Sequence, residues 1–219
     1  MNSSSGSANP GDKSILVIGA GGHAKVVIEC LRFSGWSVVG CIASEVTDAR
    51  CAGVPIIGTD EMLPRLRAEG IMSAFCALGS NALRDRIGPG LREMGFEVPW
   101  VRGPGTHVSP SVAIGAGAAI LPGAVINAES RVGDFAIVNT NANVDHDGII
   151  GRSAHIGPGA ALAGEVVVGD RTFIATGCSV IPQRQIGSDT IVGAGSVVVR
   201  DLPDGVIAFG NPAKVRRNL

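Results

Sequence analysis

From residue 108 to residue 198, every sixth residue is Val, Ile or Leu. The run reads Val108, Ile114, Ile120, Ile126, Val132, Val138, Val144, Ile150, Ile156, Leu162, Val168, Ile174, Val180, Ile186, Val192, Val198. Neither the 3.6-residue period of a helix nor the alternation of a strand produces this phase. A fixed six-residue period is the signature of a parallel β-helix. Each hexad supplies one short strand and one turn, and three hexads close a coil of about 18 residues. The aliphatic side chain then points inward and stacks on its counterparts in the coils above and below. The residue two before it is usually small, as at Ala118, Ala124, Ser130, Ala136, Ala142, Ala154, Ala160, Cys178 and Ser196, and suits a tight corner. Val166 and Arg184 break that pattern. Glycine often follows the aliphatic residue (Gly115, Gly133, Gly151, Gly157, Gly169, Gly187, Gly193), where its freedom in turn dihedrals is the expected reason. Asn127, Asn139 and Asp145 replace it in the middle coils.

The rest of the composition narrows the class. A net charge of −1 with both signs mixed along the chain leaves no nucleic-acid footprint. No apolar run reaches the roughly 18 residues that span a membrane. The opening MNSSSGSANPGDK lacks the apolar core of a signal peptide, so residues 1–13 are expected to be a disordered polar leader. Five cysteines without a CxxC pair read as free thiols of a cytoplasmic protein.

The first hundred residues follow another rule. Apolar strands are expected at 14–18, 37–42, 55–57 and 73–78. Helices are expected over 24–33, 59–69 and from 81 to about 94. This alternation predicts a small parallel, Rossmann-like α/β domain over 14–100. The stretch 99–110 is rich in Pro and Gly and predicts a linker at 101–110, with the coil domain at 111–219. Gly19-Ala20-Gly21-Gly22-His23 places backbone N–H groups at a helix N-terminus, which suits a phosphate. Gly19, Gly21 and Ala24 satisfy G-x-G-x-x-A. A dinucleotide reading also wants an acidic residue closing the second strand. Here only Glu45 is acidic, and it lies late. A mononucleotide or sugar nucleotide fits better, with a purely structural turn as the alternative. Gly79 lies at a second strand end, where open α/β sheets bind ligands.

Four histidines occur: His23, His107, His146 and His155. His146 sits in the least regular part of the repeat and two residues after the inward Val144. One coil on, the equivalent residue is Gly164, and one coil back it is Ala128. This register predicts room beside His146 for a substrate and an accessible Gly164 N–H. Histidine is the usual general base near neutral pH, and a neighbouring carboxylate would raise its basicity. Asp145 and Asp147 flank it, but in an extended segment both point away from the imidazole. Only a turn would bring one of them to it. The alternative for His146 is a solvated corner histidine. His155 lies half a coil away, so it would reach His146 only across a subunit interface, and its alternative is packing between subunits.

An α/β domain opening Ile18-Gly19-Ala20-Gly21-Gly22-His23, followed by a hexapeptide coil carrying Asn139-Thr140 and His146-Asp147, resembles the bacterial nucleotide-sugar and sialic-acid acetyltransferase family. The closing Gly210-Asn211-Pro212-Ala213-Lys214 is similar to that family's Gly-x-Pro-Ala-Lys ending. The resemblance implies a left-handed coil, a homotrimer with sites between subunits, acetyl-CoA as co-substrate and no metal. It implies N-acetylation of the 4-amino group of a UDP- or GDP-linked sugar, or alternatively O-acetylation of a sialic acid. A zinc hydratase and a non-catalytic regulatory binder are further alternatives on such a coil. By resemblance, His146 is the base and Asp147 its acidic partner. His155, Gly164, Thr176, Ala194 and Lys214 would meet acetyl-CoA, and Gly21, Gly22, His23, Ala43, Ser44 and Gly79 the sugar nucleotide. Uracil-binding members often carry Asp-Asp where this chain has Ala43-Ser44, which leaves the base open between uracil and guanine. Within this reading, His146 takes the proton of the attacking amine and the Gly164 N–H stabilises the oxyanion.

Overall fold

A computed structural model describes residues 13–46 and 49–219. The expected polar leader, apart from Lys13, lies outside the described residues.

The α/β domain is built on five strands: β1 (Ser14–Ile18), β2 (Ser37–Ile42), β3 (Arg50–Cys51), β4 (Val54–Gly58) and β5 (Ser73–Cys76). Their order is β3-β4-β2-β1-β5, and β3 alone runs antiparallel to its neighbour. The interior strand β1 is apolar at four consecutive positions because both of its faces are covered. Ile15 and Val17 pack under α1 (Gly22–Phe33), through Ala24, Val27, Ile28 and Leu31. Leu16 and Ile18 face α2 (Leu63–Ala68) and α3 (Asn81–Glu93), through Leu63, Leu66 and Leu91. The helix expected from residue 59 begins as a 3-10 turn at Asp60–Met62, and the α-helix proper starts at Leu63. Pro64 explains the offset, since a proline lacking its N–H fits only the first turn of an α-helix.

The coil has three flat faces of stacked parallel two-residue rungs. One face runs from His107–Val108 through Asn143–Val144 to Val197–Val198. A second runs from Ala113–Ile114 through Ile149–Ile150 to Gln185–Ile186. The third carries Ala119–Ile120, Ile137–Val138, His155–Ile156, Phe173–Ile174 and Ile191–Val192. Every inward aliphatic residue from Ile120 to Val198 is 3 % exposed or less. Each contributes about 1.5–3 kcal/mol by burial, so the repeat is its own core.

Two expectations are corrected. The stretch 101–110 is not a linker. Val101–Arg102 already pairs with Ala119–Ile120, and His107–Val108 with Val125–Ile126, so the coil begins at Val101. Its Pro104 and Gly105 form a corner, with Gly105 at φ +71°, rather than a flexible connection. The glycines after the aliphatic residues are not there for turn dihedrals either. A Cβ on Gly133 would lie 2.8 Å from Arg152 N, and one on Gly157 2.7 Å from Ile174 O. They are glycines because the next rung is too close. The left-handed backbone falls two residues later, at Gly117, Gly123, Glu129, Phe135, Asn141, Asp147, Ser153 and onward every sixth residue to Gly195.

The α/β domain lies on the third face. Outward-pointing Ala119 and Ile137 of that face are buried with Leu121 and Val101 in the same core as Ile15, Val17 and α1. Phe135 packs against Gly88 of α3, where a Cβ would meet its ring at 2.5 Å.

Candidate active site

His146 and Asp147 form a dyad at an open corner. Asp147 is one of the left-handed corner residues, at φ +57°. That turn brings its carboxylate back along the chain, and Asp147 Oδ2 lies 2.8 Å from His146 Nδ1. Asp145 points elsewhere. Its Oδ1 accepts from Asn127 Nδ2 at 2.9 Å and from the His146 backbone N–H at 2.8 Å. These bonds hold its carboxyl below the usual range. The hydrogen bond to Asp147 is the main cause that raises the His146 pKa above its ordinary 6.5. With Nδ1 donating to Asp147, Nε2 is left as the acceptor of the neutral ring, and the His146 side chain is half exposed.

The stack with Gly164 exists, but its meaning differs from the expectation. A Cβ on Gly164 would fall 2.5 Å from both Cε1 and Nε2 of His146. The space beside Gly164 is therefore occupied by the imidazole itself and is not left for a substrate. Gly164 O accepts from Gln183 N at 3.0 Å, whereas the Gly164 N–H donates to no atom of the described residues. A free amide thus sits beside Nε2.

Four of the six expected sugar-nucleotide residues line cavities, three in one and one in another, while Gly22 and His23 line neither. A cavity of about 480 Å³ at the C-terminal ends of β1 and β2 is lined by Gly21, Ala43 and Ser44, with Gly19, Asp60 and Arg86. Gly19 has φ +115°, and a Cβ there would lie 2.9 Å from Ala77 O, so only glycine fits this turn. Gly21 is the N-cap of α1 and supplies no side-chain cap, and a Cβ on Gly21 or Gly22 would meet nothing within 4 Å. The first-turn N–H groups of α1 are consequently open to an anion. Gly79 and His155 instead line a second cleft, of about 530 Å³, between α3 and the coil.

His155 meets its own chain. It follows Ala119 and Ile137 outward on the third face, against the docked domain. Its ring centroid lies 6.4 Å from that of His23 and 5.0 Å from that of Phe173. The two histidines that the chain brings together are therefore His23 and His155, not His146 and His155. Asn139 Oδ1 accepts from Thr140 N at 2.7 Å, so its Nδ2 donates to His155 Nε2 at 2.9 Å. The neutral His155 then carries its proton on Nδ1. Burial pulls His155 down to about 3 and His23 to about 4, and the Arg84 cation adds to both shifts. Both rings stay neutral at physiological pH, and His23 Nε2 is buried without a partner among the described residues.

Arg84 itself was not singled out by the sequence. It is 1 % exposed and ties the domains together. Its guanidinium donates to Leu78 O and Gly79 O on the α/β side, to Phe135 O and Ser153 O on the coil, and to Asn81 Oδ1, all at 2.9–3.0 Å. Burial pulls its pKa down to about 10, so it remains a cation. Asn81 Nδ2 adds a bond to Arg171 O at 2.8 Å, and Asp85 pairs with Arg152 at 3.1 Å. Arg84 thus holds the Gly79 turn and the rung of His155 in one register.

Thr176 and Ala194 stand one coil apart on one exposed corner column, and Gly195 N donates to Thr176 O at 2.9 Å. Lys214 is exposed on the final strand, Lys214–Asn218, opposite Phe209. Among the described residues, no helix is long and apolar enough to cross a membrane, and no group of three His, Cys, Asp or Glu side chains converges.

The PglD N-terminal domain family model matches residues 14–88. A mutant perosamine N-acetyltransferase from Caulobacter crescentus, solved with CoA and GDP-perosamine, is 48 % identical over 97 % of this chain and all of that one, with a TM-score of 0.92. The acetyltransferase domain of PglB from Neisseria gonorrhoeae, solved with acetyl coenzyme A, is 38 % identical over 94 % of this chain and all of that one, with a TM-score of 0.89. An uncharacterised protein of Acanthamoeba polyphaga mimivirus is 34 % identical over 126 residues, and the match spans 57 % of this chain but only 24 % of that protein. A small α/β domain on a left-handed parallel β-helix, matched from end to end at this identity, makes the chain a member of the acetyl-CoA-dependent nucleotide-sugar N-acetyltransferase family.

Proposed function

We propose that the chain transfers the acetyl group of acetyl-CoA to the 4-amino group of a GDP-linked 4-amino-4,6-dideoxy sugar, with His146 as general base. The observation that carries the role of His146 is the 2.8 Å contact between its Nδ1 and Asp147 beside a free Gly164 amide. His146 Nε2 takes a proton from the amine as the nitrogen lone pair attacks the thioester carbon. Asp147 stabilises the imidazolium so formed, and the Gly164 N–H is placed to donate to the developing oxyanion. Collapse breaks the carbon–sulfur bond, and the proton held by His146 returns to the departing thiolate. No acyl-enzyme is needed. Cys178 is buried in a small-residue repeat position, and burial raises its thiol, which suits packing rather than attack.

The base is read from two facts. The Caulobacter crescentus relative is solved with a GDP-linked sugar, and Ala43-Ser44 lack the acidic pair of uracil-binding members. The pyrophosphate would sit on the open N-terminus of α1. Thr176, Ala194 and Lys214 would meet acetyl-CoA along their exposed column and strand. His23 and Gly79 would meet the sugar where the two domains touch, and His155 beside them would meet the acetyl-CoA. The sugar cleft lies along the third face, whereas the dyad sits at the corner between the first and second. A site using both is built by two copies of the chain, which supports a homotrimer. The test is His146→Ala assayed for acetyl transfer to GDP-perosamine. Turnover is expected to fall by about 10²–10⁴-fold with GDP-sugar binding retained, and near-normal turnover would refute the assignment.

A further inference from the structure

The 480 Å³ cavity at the ends of β1 and β2 carries two charges that the fold does not use. Asp60 opens the 3-10 turn after β4, and Arg86 lies one residue past Asp85 on α3. Both line the cavity, and neither makes a side-chain hydrogen bond or ion pair among the described residues. Several neighbouring charges are engaged. Arg84 holds the two domains, Asp85 pairs with Arg152, Arg65 with Glu69, and Arg67 donates to Gly95 O. The remaining walls are backbone and small or apolar side chains, including Ile42, Ala43, Ser44, Leu78 and Leu83. The two charges also enter from opposite sides of the β2–β1 pair, Asp60 from the side of β4 and Arg86 from the helix after β5.

We infer that Asp60 and Arg86 select guanine, Asp60 accepting from N1–H and the 2-amino group and Arg86 donating to O6 and N7. This rests on the proposed function, in which the cavity holds the base of the sugar nucleotide. The chemistry follows from hydrogen-bonding edges. Guanine presents two adjacent donors on one edge and two adjacent acceptors on the other. A carboxylate is acceptor-only and matches the first. A guanidinium fork matches the second, the commonest specific contact to this base. Uracil offers a carboxylate one donor, N3–H, flanked by two carbonyl oxygens, so it gains one bond where guanine gains two and has no adjacent acceptor pair for the guanidinium fork. Adenine sets a ring-nitrogen acceptor beside its amino group, which a carboxylate repels. Rejection of the wrong base therefore comes from unlike edges as much as attraction comes from the right one.

Calorimetric titration of the full-length protein with GDP, IDP, UDP and ADP tests the assignment. IDP lacks the 2-amino group and keeps the rest of the base. The wild-type chain is expected to bind GDP about 10-fold or more tighter than IDP, and about 100-fold tighter than UDP or ADP, since one bidentate pair discriminates by roughly 5- to 150-fold. In Asp60→Ala the GDP-to-IDP ratio falls to near one. Asp60→Asn, which keeps the size of the side chain, shrinks it also. Arg86→Ala weakens GDP and IDP equally and leaves their ratio intact. With GDP-perosamine as substrate, both alanine variants raise KM about 10-fold or more and change kcat by less than about 3-fold. A wild-type chain that prefers UDP overturns the base reading and this pair together. A wild-type chain that prefers GDP while Asp60→Ala leaves the GDP-to-IDP ratio unchanged overturns the role of Asp60 alone. Unchanged GDP affinity in Arg86→Ala overturns that of Arg86.

Discussion

Gly164→Ala is the sharpest probe of the dyad, because it adds one methyl group at the place the imidazole occupies. The Cβ would stand 2.5 Å from Cε1 and Nε2 of His146. Carbon atoms settle at about 3.5–4.0 Å, so the ring must retreat by about 1 Å. The backbone at Gly164 is not in the left-handed region, so alanine costs nothing in dihedral terms. The amide N–H also survives, so the proposed oxyanion donor is kept while the proposed base moves. The ring can retreat only by pivoting about its own Cβ, which strains the 2.8 Å bond from Nδ1 to Asp147 Oδ2. A displacement of about 1 Å at a reacting group costs on the order of 100-fold in rate. Steady-state assays that follow free CoA thiol should therefore show kcat down about 100-fold, with the KM for GDP-perosamine within about 3-fold of wild type. Gly90→Ala in α3, where a Cβ would meet nothing within 4 Å, is the matched control and should turn over normally. A kcat for Gly164→Ala within about 3-fold of wild type would refute the reasoning, because the ring would then not need the place it holds.

Asp147→Asn should move the acidic limb of kcat/KM to lower pH and lower its plateau by about 10-fold or more. In the wild type the carboxylate holds the His146 pKa above 6.5, so activity climbs with pH through that raised value. A neutral amide no longer favours the imidazolium, and Asn tolerates the left-handed corner as Asp does; an unmoved limb would show that His146 is not the titrating base. Arg84→Met leaves two buried carbonyls on the coil and two part-buried ones on the α/β domain without their donor, a cost of about 4 kcal/mol in all at about 1 kcal/mol each. At 2–4 °C per kcal/mol for a chain of this size, thermal unfolding should come about 10 °C earlier. A shift under about 2 °C would mean that the domains are held by their shared apolar core alone.

The repeat shows why some of the site is legible in the sequence and some is not. The six-residue phase places every inward residue, and the 18-residue column places Gly164 against His146, because a coil has no freedom to do otherwise. The Asp147 contact was also within reach. Its column, three residues after each aliphatic position, carries Gly or Asn at six of the fourteen places from 117 to 195 (Gly117, Gly123, Asn141, Gly159, Gly177 and Gly195), the residues that tolerate a left-handed backbone. A glycine- and asparagine-rich column marks the turn, and a turn at residue 147 is what returns its carboxylate to the ring. The glycine column immediately after the aliphatic residues answers instead to the closeness of the next rung. His155 needed one more column. Ala119, Ile137, Phe173 and Ile191 bracket it with apolar residues on the outside of the coil, the mark of a covered face, yet the period does not say that the chain's own α/β domain covers it. Arg84 left no such trace. Arg86 and Arg92 share its helix, and what separates Arg84 is the set of carbonyls around it, four of them brought there from 78, 79, 135 and 153. Periodicity reaches contacts within the coil because stacking repeats them. A contact made once, between a helix and a rung 69 residues apart in sequence, has no second copy to reveal it.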